Sequence, residues 1–96
     1  MNKQVKYDYM IKGMIDTFKK KKCSKLFNQI IGLVFKSIRL ERKITAEAVV
    51  DDNKIYFGSI YDLYKFEKGI KPDSSKLCAL QSYYNYDVKP LFERLN

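Results

Sequence analysis

The chain reads as all-α, and three features of its sequence carry that expectation. Apolar residues recur three and four positions apart over most of its length, which is the spacing of one helix face. Only two prolines and four glycines interrupt the 96 residues. Ser, Thr or Asp stands just ahead of several apolar stretches, where the first turn of a helix needs an acceptor for its unpaired N–H groups.

Taken in order, Met10, Ile11, Met14, Ile15 and Phe18 form one stripe of a first helix over 7–20. Lys19, Lys20, Lys21 and Lys22 close it. Cations suit the negative end of a helix dipole, and the same four side chains make a tab for phosphate groups. Ser24 is the expected cap of a second helix over 25–42, with Phe27, Ile31, Val34, Phe35 and Ile38 inward and Lys36, Arg39, Glu41, Arg42 and Lys43 on its polar side. Thr45 caps a short third helix that points Val49 and Val50 inward and stops at Asp51, Asp52 and Asn53, whose short polar side chains compete for the backbone. Ile55, Tyr56 and Phe57 would have no partner as a strand, so they are expected in a loop with the aromatic rings tucked beneath the fold.

Ser59 caps a fourth helix over 60–68, with Leu63, Phe66 and in part Ile60 inward. Gly69 stands where a helix end calls for a left-handed residue. Asp73 or Ser74 opens a fifth helix through Tyr84, with Leu77, Leu80 and Tyr84 inward. Asn85, Tyr86 and Asp87 make a turn, and Pro90 sits at the start of a last helical turn.

Nineteen Lys and Arg against eleven Asp and Glu give a net charge of +8. An excess of that size points to a polyanionic partner, either nucleic acid or an anionic membrane face, unless the lysines serve solubility alone. The longest apolar stretch, from Ile30 to Phe35, is far shorter than a bilayer span, and no secretory h-region follows the first lysines. Two cysteines, Cys23 and Cys78, with no histidine exclude a disulfide framework and a tetrahedral zinc site within one chain. The expectation is a soluble cytoplasmic protein with reduced thiols, no metal and no cofactor. An enzyme is disfavoured: there is no histidine, no glycine-rich phosphate loop and no nucleophile beside a base, and the adjacent Asp51 and Asp52 point different ways.

From Ile31 onward the chain resembles the Cro and phage-repressor (xenobiotic-response-element) family of helix-turn-helix proteins. The segment from Ile31 and Gly32 through Ile38, Arg39 and Leu40 to Ile44 and Thr45 sits in register with that family's first helix. Ser59 to Gly69, ending in Glu67-Lys68-Gly69, matches its recognition helix, while Pro72 to Leu80 and Val88 to Phe92 match its closing helices. The resemblance implies a lambda-repressor-like, five-helix helix-turn-helix domain over 25–96, preceded by an additional N-terminal helix and basic segment over 1–24. It also implies an ion pair between Arg39 and Glu67 that ties the first helix of the domain to its recognition helix. Three departures stand out. Ala46 occupies the place of the family's Gln, Val49-Val50 replaces a Leu-Ala step, and the eight residues between Val50 and Ser59 enlarge the turn.

The function implied is binding of double-stranded DNA, as a repressor-like transcription regulator of plasmid, phage or bacterial genes that acts as a homodimer on paired half-sites. Side chains near the start of a recognition helix reach base edges, which nominates Ile60, Tyr61, Tyr64 and Lys65. Lys65 can donate to guanine, and Ile60 or a tyrosine ring can meet a thymine methyl; Tyr61 and Tyr64 fit a packing patch as well. Phosphate contacts are expected from Lys54, Ser59, Lys68 and Lys71, from Lys21 and Lys22 of the tab, and from Lys25. No membrane or small-molecule partner is expected. The rival is a protein-interaction module on the same fold, in the manner of an antitoxin, a phage inhibitor or a plasmid-transfer accessory protein, because tyrosine is favoured at protein interfaces.

Overall fold

Six helices follow one another in the computed structural model, which describes residues 3–70 and 72–95: α1 (Lys3–Lys21), α2 (Ser24–Glu41), α3 (Ala46–Asp52), α4 (Ile60–Glu67), α5 (Ser74–Tyr84) and α6 (Lys89–Leu95). The described residues contain no strand, and none of their helices is long and apolar enough to cross a membrane.

The central element is α2. Its buried Ile30, Ile31, Val34, Phe35 and Ile38 lie one and two turns apart, so they project to one side of the helix. Phe35 is fully buried, with ring centroids 5.9 Å from Phe66, 6.0 Å from Tyr84 and 5.7 Å from Tyr86. Around it a single core draws Ile11 and Ile15 from α1, Ala46 and Val49 from α3, Leu63 and Phe66 from α4, Leu80 and Tyr84 from α5, and Leu91 and Leu95 from α6. Each fully buried large side chain of this set contributes about 1.5–3 kcal/mol of transfer free energy.

The first helix therefore finds its cover within its own chain. Ile11 and Ile15 are buried, Met14 and Phe18 are half-buried, and Met10 remains 44 % exposed. A column of rings, Phe18 on Phe27 at 5.6 Å and Phe27 on Phe92 at 5.5 Å, joins α1, α2 and α6. The two-residue turn between α1 and α2 is made by Lys22 in the left-handed region (φ 52°), and Lys22 N donates to Phe18 O at 2.7 Å.

Local chemistry explains the helix starts. Thr45 Oγ1 accepts from Ala48 N at 3.1 Å, and Asp73 Oδ1 accepts from Lys76 N at 2.7 Å, so each N-cap satisfies one orphan donor. The cap expected at Ser24 is corrected: Cys23 is the extended residue ahead of α2, it makes no side-chain cap bond, and Ser24 is already helical. The left-handed turn at Lys22 moves the start one residue earlier. The stop in α3 is also later than expected, because Asp51 and Asp52 stay helical and Asn53 is the residue that leaves the helix, its Nδ2 donating to Val49 O at 2.8 Å. Beyond it, only Phe57 tucks under the fold, fully buried and edge-on to Phe66 at 6.2 Å. Tyr56 is 42 % exposed, which corrects the expectation that both rings tuck in, and Ile55 is 91 % exposed. At the other end, Asn85 closes α5 in the left-handed region, and Gln81 Oε1 accepts from Val88 N at 3.0 Å across the turn into α6.

Candidate nucleic-acid interface

The fourth helix is seated by its inward side and by its end. Leu63 and Phe66 are fully buried, and Glu67 is buried beside them. An ideal Cβ on Gly32 of α2 would lie 2.5 Å from Glu67 O and 2.7 Å from Glu67 C, and would overlap Phe66 O as well. The two helix backbones thus meet where only glycine leaves room. Gly69, at φ 79°, turns the chain out of α4 against the backbone of Asn28 and Gln29. The start of α2 therefore meets the end of α4.

Arg39 and Glu67 join the same two helices through a bidentate pair. Arg39 Nε donates to Glu67 Oε2 at 2.8 Å and Nη2 to Glu67 Oε1 at 3.0 Å, while Nη1 reaches Ile44 O at 3.3 Å on the way into α3. With only 8 % and 3 % of the two side chains exposed, the pair is charge-assisted and shielded from water. Hydrogen bonding to Glu67 raises the guanidinium pKa above its ordinary value.

The opposite side of α4 carries Tyr61, Tyr64, Lys65 and Lys68 at helical spacing, all exposed, with Tyr61 at 70 % and Tyr64 at 37 %. Ile60, also nominated for base contact, is half-buried and packs partly against the core. Ser59 is half-buried and extended (φ −158°, ψ 168°), and its side chain makes no cap bond. In its place Asp62 Oδ2 reaches back to accept from Gly58 N at 3.0 Å.

The nominated phosphate ligands fall into separate groups. Lys54 is exposed in the α3–α4 connection, ahead of the leading end of α4. Lys68 caps the trailing end, and Lys25 is exposed in the first turn of α2, three residues ahead of Asn28, whose backbone meets Gly69. Lys21 is exposed at the end of α1. Lys22 is committed elsewhere: its Nζ donates to Leu95 O at 3.3 Å and lies 5.3 Å from the centre of the Phe18 ring. Lys71 lies outside the described residues.

The sequence did not disclose that α3 presents carboxylates outward. Glu47, Asp51 and Asp52 are exposed there, and Asp52 Oδ2 accepts from Tyr83 Oη at 2.8 Å. Partial burial, together with that acceptor, raises the Tyr83 pKa. Among the described residues no three Cys, Asp or Glu side chains gather as a metal site. No family model, curated protein or solved structure matches the chain.

Proposed function

We propose that the protein binds double-stranded DNA through a helix-turn-helix unit formed by α3 and α4, as a repressor-like regulator of plasmid, phage or bacterial genes. The supporting observation is how α4 is held. Its inner side is clamped to α2 by the Arg39–Glu67 fork and the close approach at Gly32, while Tyr61, Tyr64, Lys65 and Lys68 stand free on its outer side. That is the pairing expected from the resemblance to the Cro and phage-repressor family, at the positions the resemblance nominates. A rigidly held helix with an exposed leading face suits entry into a major groove about 12 Å wide. Flanking lysines supply phosphate contacts, which set register without reading sequence. A homodimer on two half-sites about 34–36 Å apart is the assembly proposed.

The exposed tyrosines and the outward carboxylates of α3 favour one other reading, a protein-interaction module on the same fold. Selection of duplexes from random-sequence DNA, followed by a salt titration, separates the two. The DNA reading requires log affinity to fall linearly with log salt concentration. It also requires Lys65→Ala and Tyr61→Ala to weaken binding to the selected duplex more than to a random one. Equal losses on both duplexes refute the base-contact roles, and salt-insensitive behaviour with no retained duplex refutes the DNA reading.

A further inference from the structure

The connection between α3 and α4 is pinned at three points and yet holds its most apolar side chain in water. At its start, Asn53 O accepts from both Tyr56 N and Phe57 N at 3.0 Å, and the Asn53 side chain is bonded back to Val49 O. In its middle, Phe57 is sealed in the core against Phe66. At its end, Gly58 N is bonded to Asp62 of α4. Between these anchors Ile55 is 91 % exposed, the most exposed large apolar side chain among the described residues, next to the exposed Lys54. A single exposed isoleucine is ordinary on a protein surface. Here, however, a hydrogen-bonded turn fixes it outward four residues before the cap of α4, so little conformational entropy remains to be lost when it meets a partner.

We infer that Ile55 is a DNA-contacting residue that meets a thymine C5-methyl group in the major groove flanking the leading end of α4. The inference rests on the DNA reading above. Residues at the start of a recognition helix reach base edges, and the turn that precedes the helix must then lie close to the duplex. A chain with a net charge of +8 and Lys54 beside the contact favours a polyanion as the occupant. Two of the nearest carboxylates are turned to protein donors, Asp52 to Tyr83 and Asp62 to Gly58. The Ile55 side chain neither donates nor accepts a hydrogen bond, so it suits an apolar base group rather than a phosphate. Thymine alone offers such a group in the major groove.

A double-mutant cycle tests this. Wild type and Ile55→Ser are titrated with the duplex recovered by selection and with versions in which each thymine in turn is replaced by deoxyuridine, which deletes only the methyl group. Lys65→Ala is the parallel control. At one thymine, the replacement lowers wild-type affinity about fourfold, the value of one buried methyl, while Ile55→Ser binds both duplexes equally and retains the wild-type salt slope. Ile55→Ser melts with the wild type, since the side chain it replaces touches little. If Lys65→Ala weakens binding and Ile55→Ser does not, or if the Ile55→Ser and deoxyuridine losses add at every thymine, the loop contact is overturned and the DNA reading survives. If the wild type retains no duplex in the selection, both fall together.

Discussion

Gly32 and Gly13 make a matched pair in which one substitution should act with opposite signs. Both lie inside helices, Gly13 in α1 and Gly32 in α2, so alanine at either position should gain about 0.5–1 kcal/mol of helix propensity. At Gly13 nothing lies within 4 Å of the added Cβ, and the gain stands alone. At Gly32 the same atom would sit 2.5 Å from Glu67 O. Relieving that overlap to an ordinary carbon–oxygen contact requires α2 and α4 to part by roughly 0.7 Å, in a core that deforms poorly. Overpacking of this kind costs about 1–3 kcal/mol. The same displacement stretches the Arg39–Glu67 bonds, now 2.8 and 3.0 Å, beyond good hydrogen-bond geometry. With about 1 kcal/mol more from the weakened fork, and net of the propensity gain, Gly32→Ala should lose about 2 kcal/mol.

For a domain of this size each kcal/mol moves the melting temperature by about 4–8 °C. Thermal unfolding followed by far-ultraviolet circular dichroism should therefore show Gly32→Ala melting some 8–16 °C below the wild type, while Gly13→Ala melts a few degrees above it. A Gly32→Ala protein that melts at or above the wild type would refute the close approach of α2 to α4, and with it the seating of the outer face of α4.

Three further outcomes follow from single side chains. Tyr84 is 1 % exposed, burial pushes its phenol pKa well up, and its hydroxyl finds no hydrogen-bond partner among the described residues. Tyr84→Phe should thus be neutral or up to about 1 kcal/mol more stable in urea unfolding, and a clear loss would mean that the hydroxyl is satisfied. Asp73 is held below the ordinary aspartate range by the Lys76 N–H it caps and by the Lys76 ammonium. Its carboxylate is favoured in the folded state, so the advantage of wild type over Asp73→Asn should be full above about pH 4, the unfolded aspartate range, and shrink as pH falls through the lowered folded value. A difference that stays constant down to pH 2 would contradict this. Glu67→Ala leaves the Arg39 guanidinium buried without its partner and should cost about 3–5 kcal/mol in the same assay.

Helix existence was legible because it is written in short-range periodicity. Every helix expected from the apolar spacing is present, and Thr45 and Asp73 cap as short polar acceptors at those positions should. Features set by what lies across a contact were not legible. The cap ahead of α2 depends on the left-handed turn at Lys22, which nothing in Lys-Lys-Cys-Ser announces. In the run Ile55-Tyr56-Phe57 all three residues are apolar enough to bury, but only Phe57 has Phe66 to pack on. For the candidate interface, the resemblance to a recognition helix nominated Tyr61, Tyr64 and Lys65, which are exposed, together with Ile60, which is half-buried because it also packs on the core. The commitment of Lys22 to Leu95 O, by contrast, spans 73 residues and could not be read from the sequence.

The buried fork should matter more for the angle at which α4 is presented than for the stability of the fold. Leu63, Phe66 and Glu67 point inward within less than half a turn of one another, and Tyr61, Tyr64, Lys65 and Lys68 are placed opposite by the 3.6-residue period. Apolar side chains alone tolerate a slip or rotation of such a helix, because methyl groups are interchangeable contacts. Two parallel N–H···O bonds from one guanidinium are not, and the third, to Ile44 O, ties the start of α3 to the same group. Replacing both partners, as Arg39→Met with Glu67→Leu, removes two charges that were costly to bury. The double variant should unfold within about 1 kcal/mol of the wild type or above it, even though Glu67→Ala alone falls by several. On the proposed DNA-binding reading, a fork that specifies the rotation of α4 requires that stable double variant to bind a duplex selected by the wild type more weakly, with losses concentrated in discrimination from random DNA. Full recovery of both stability and discrimination would show that apolar packing alone aims the helix.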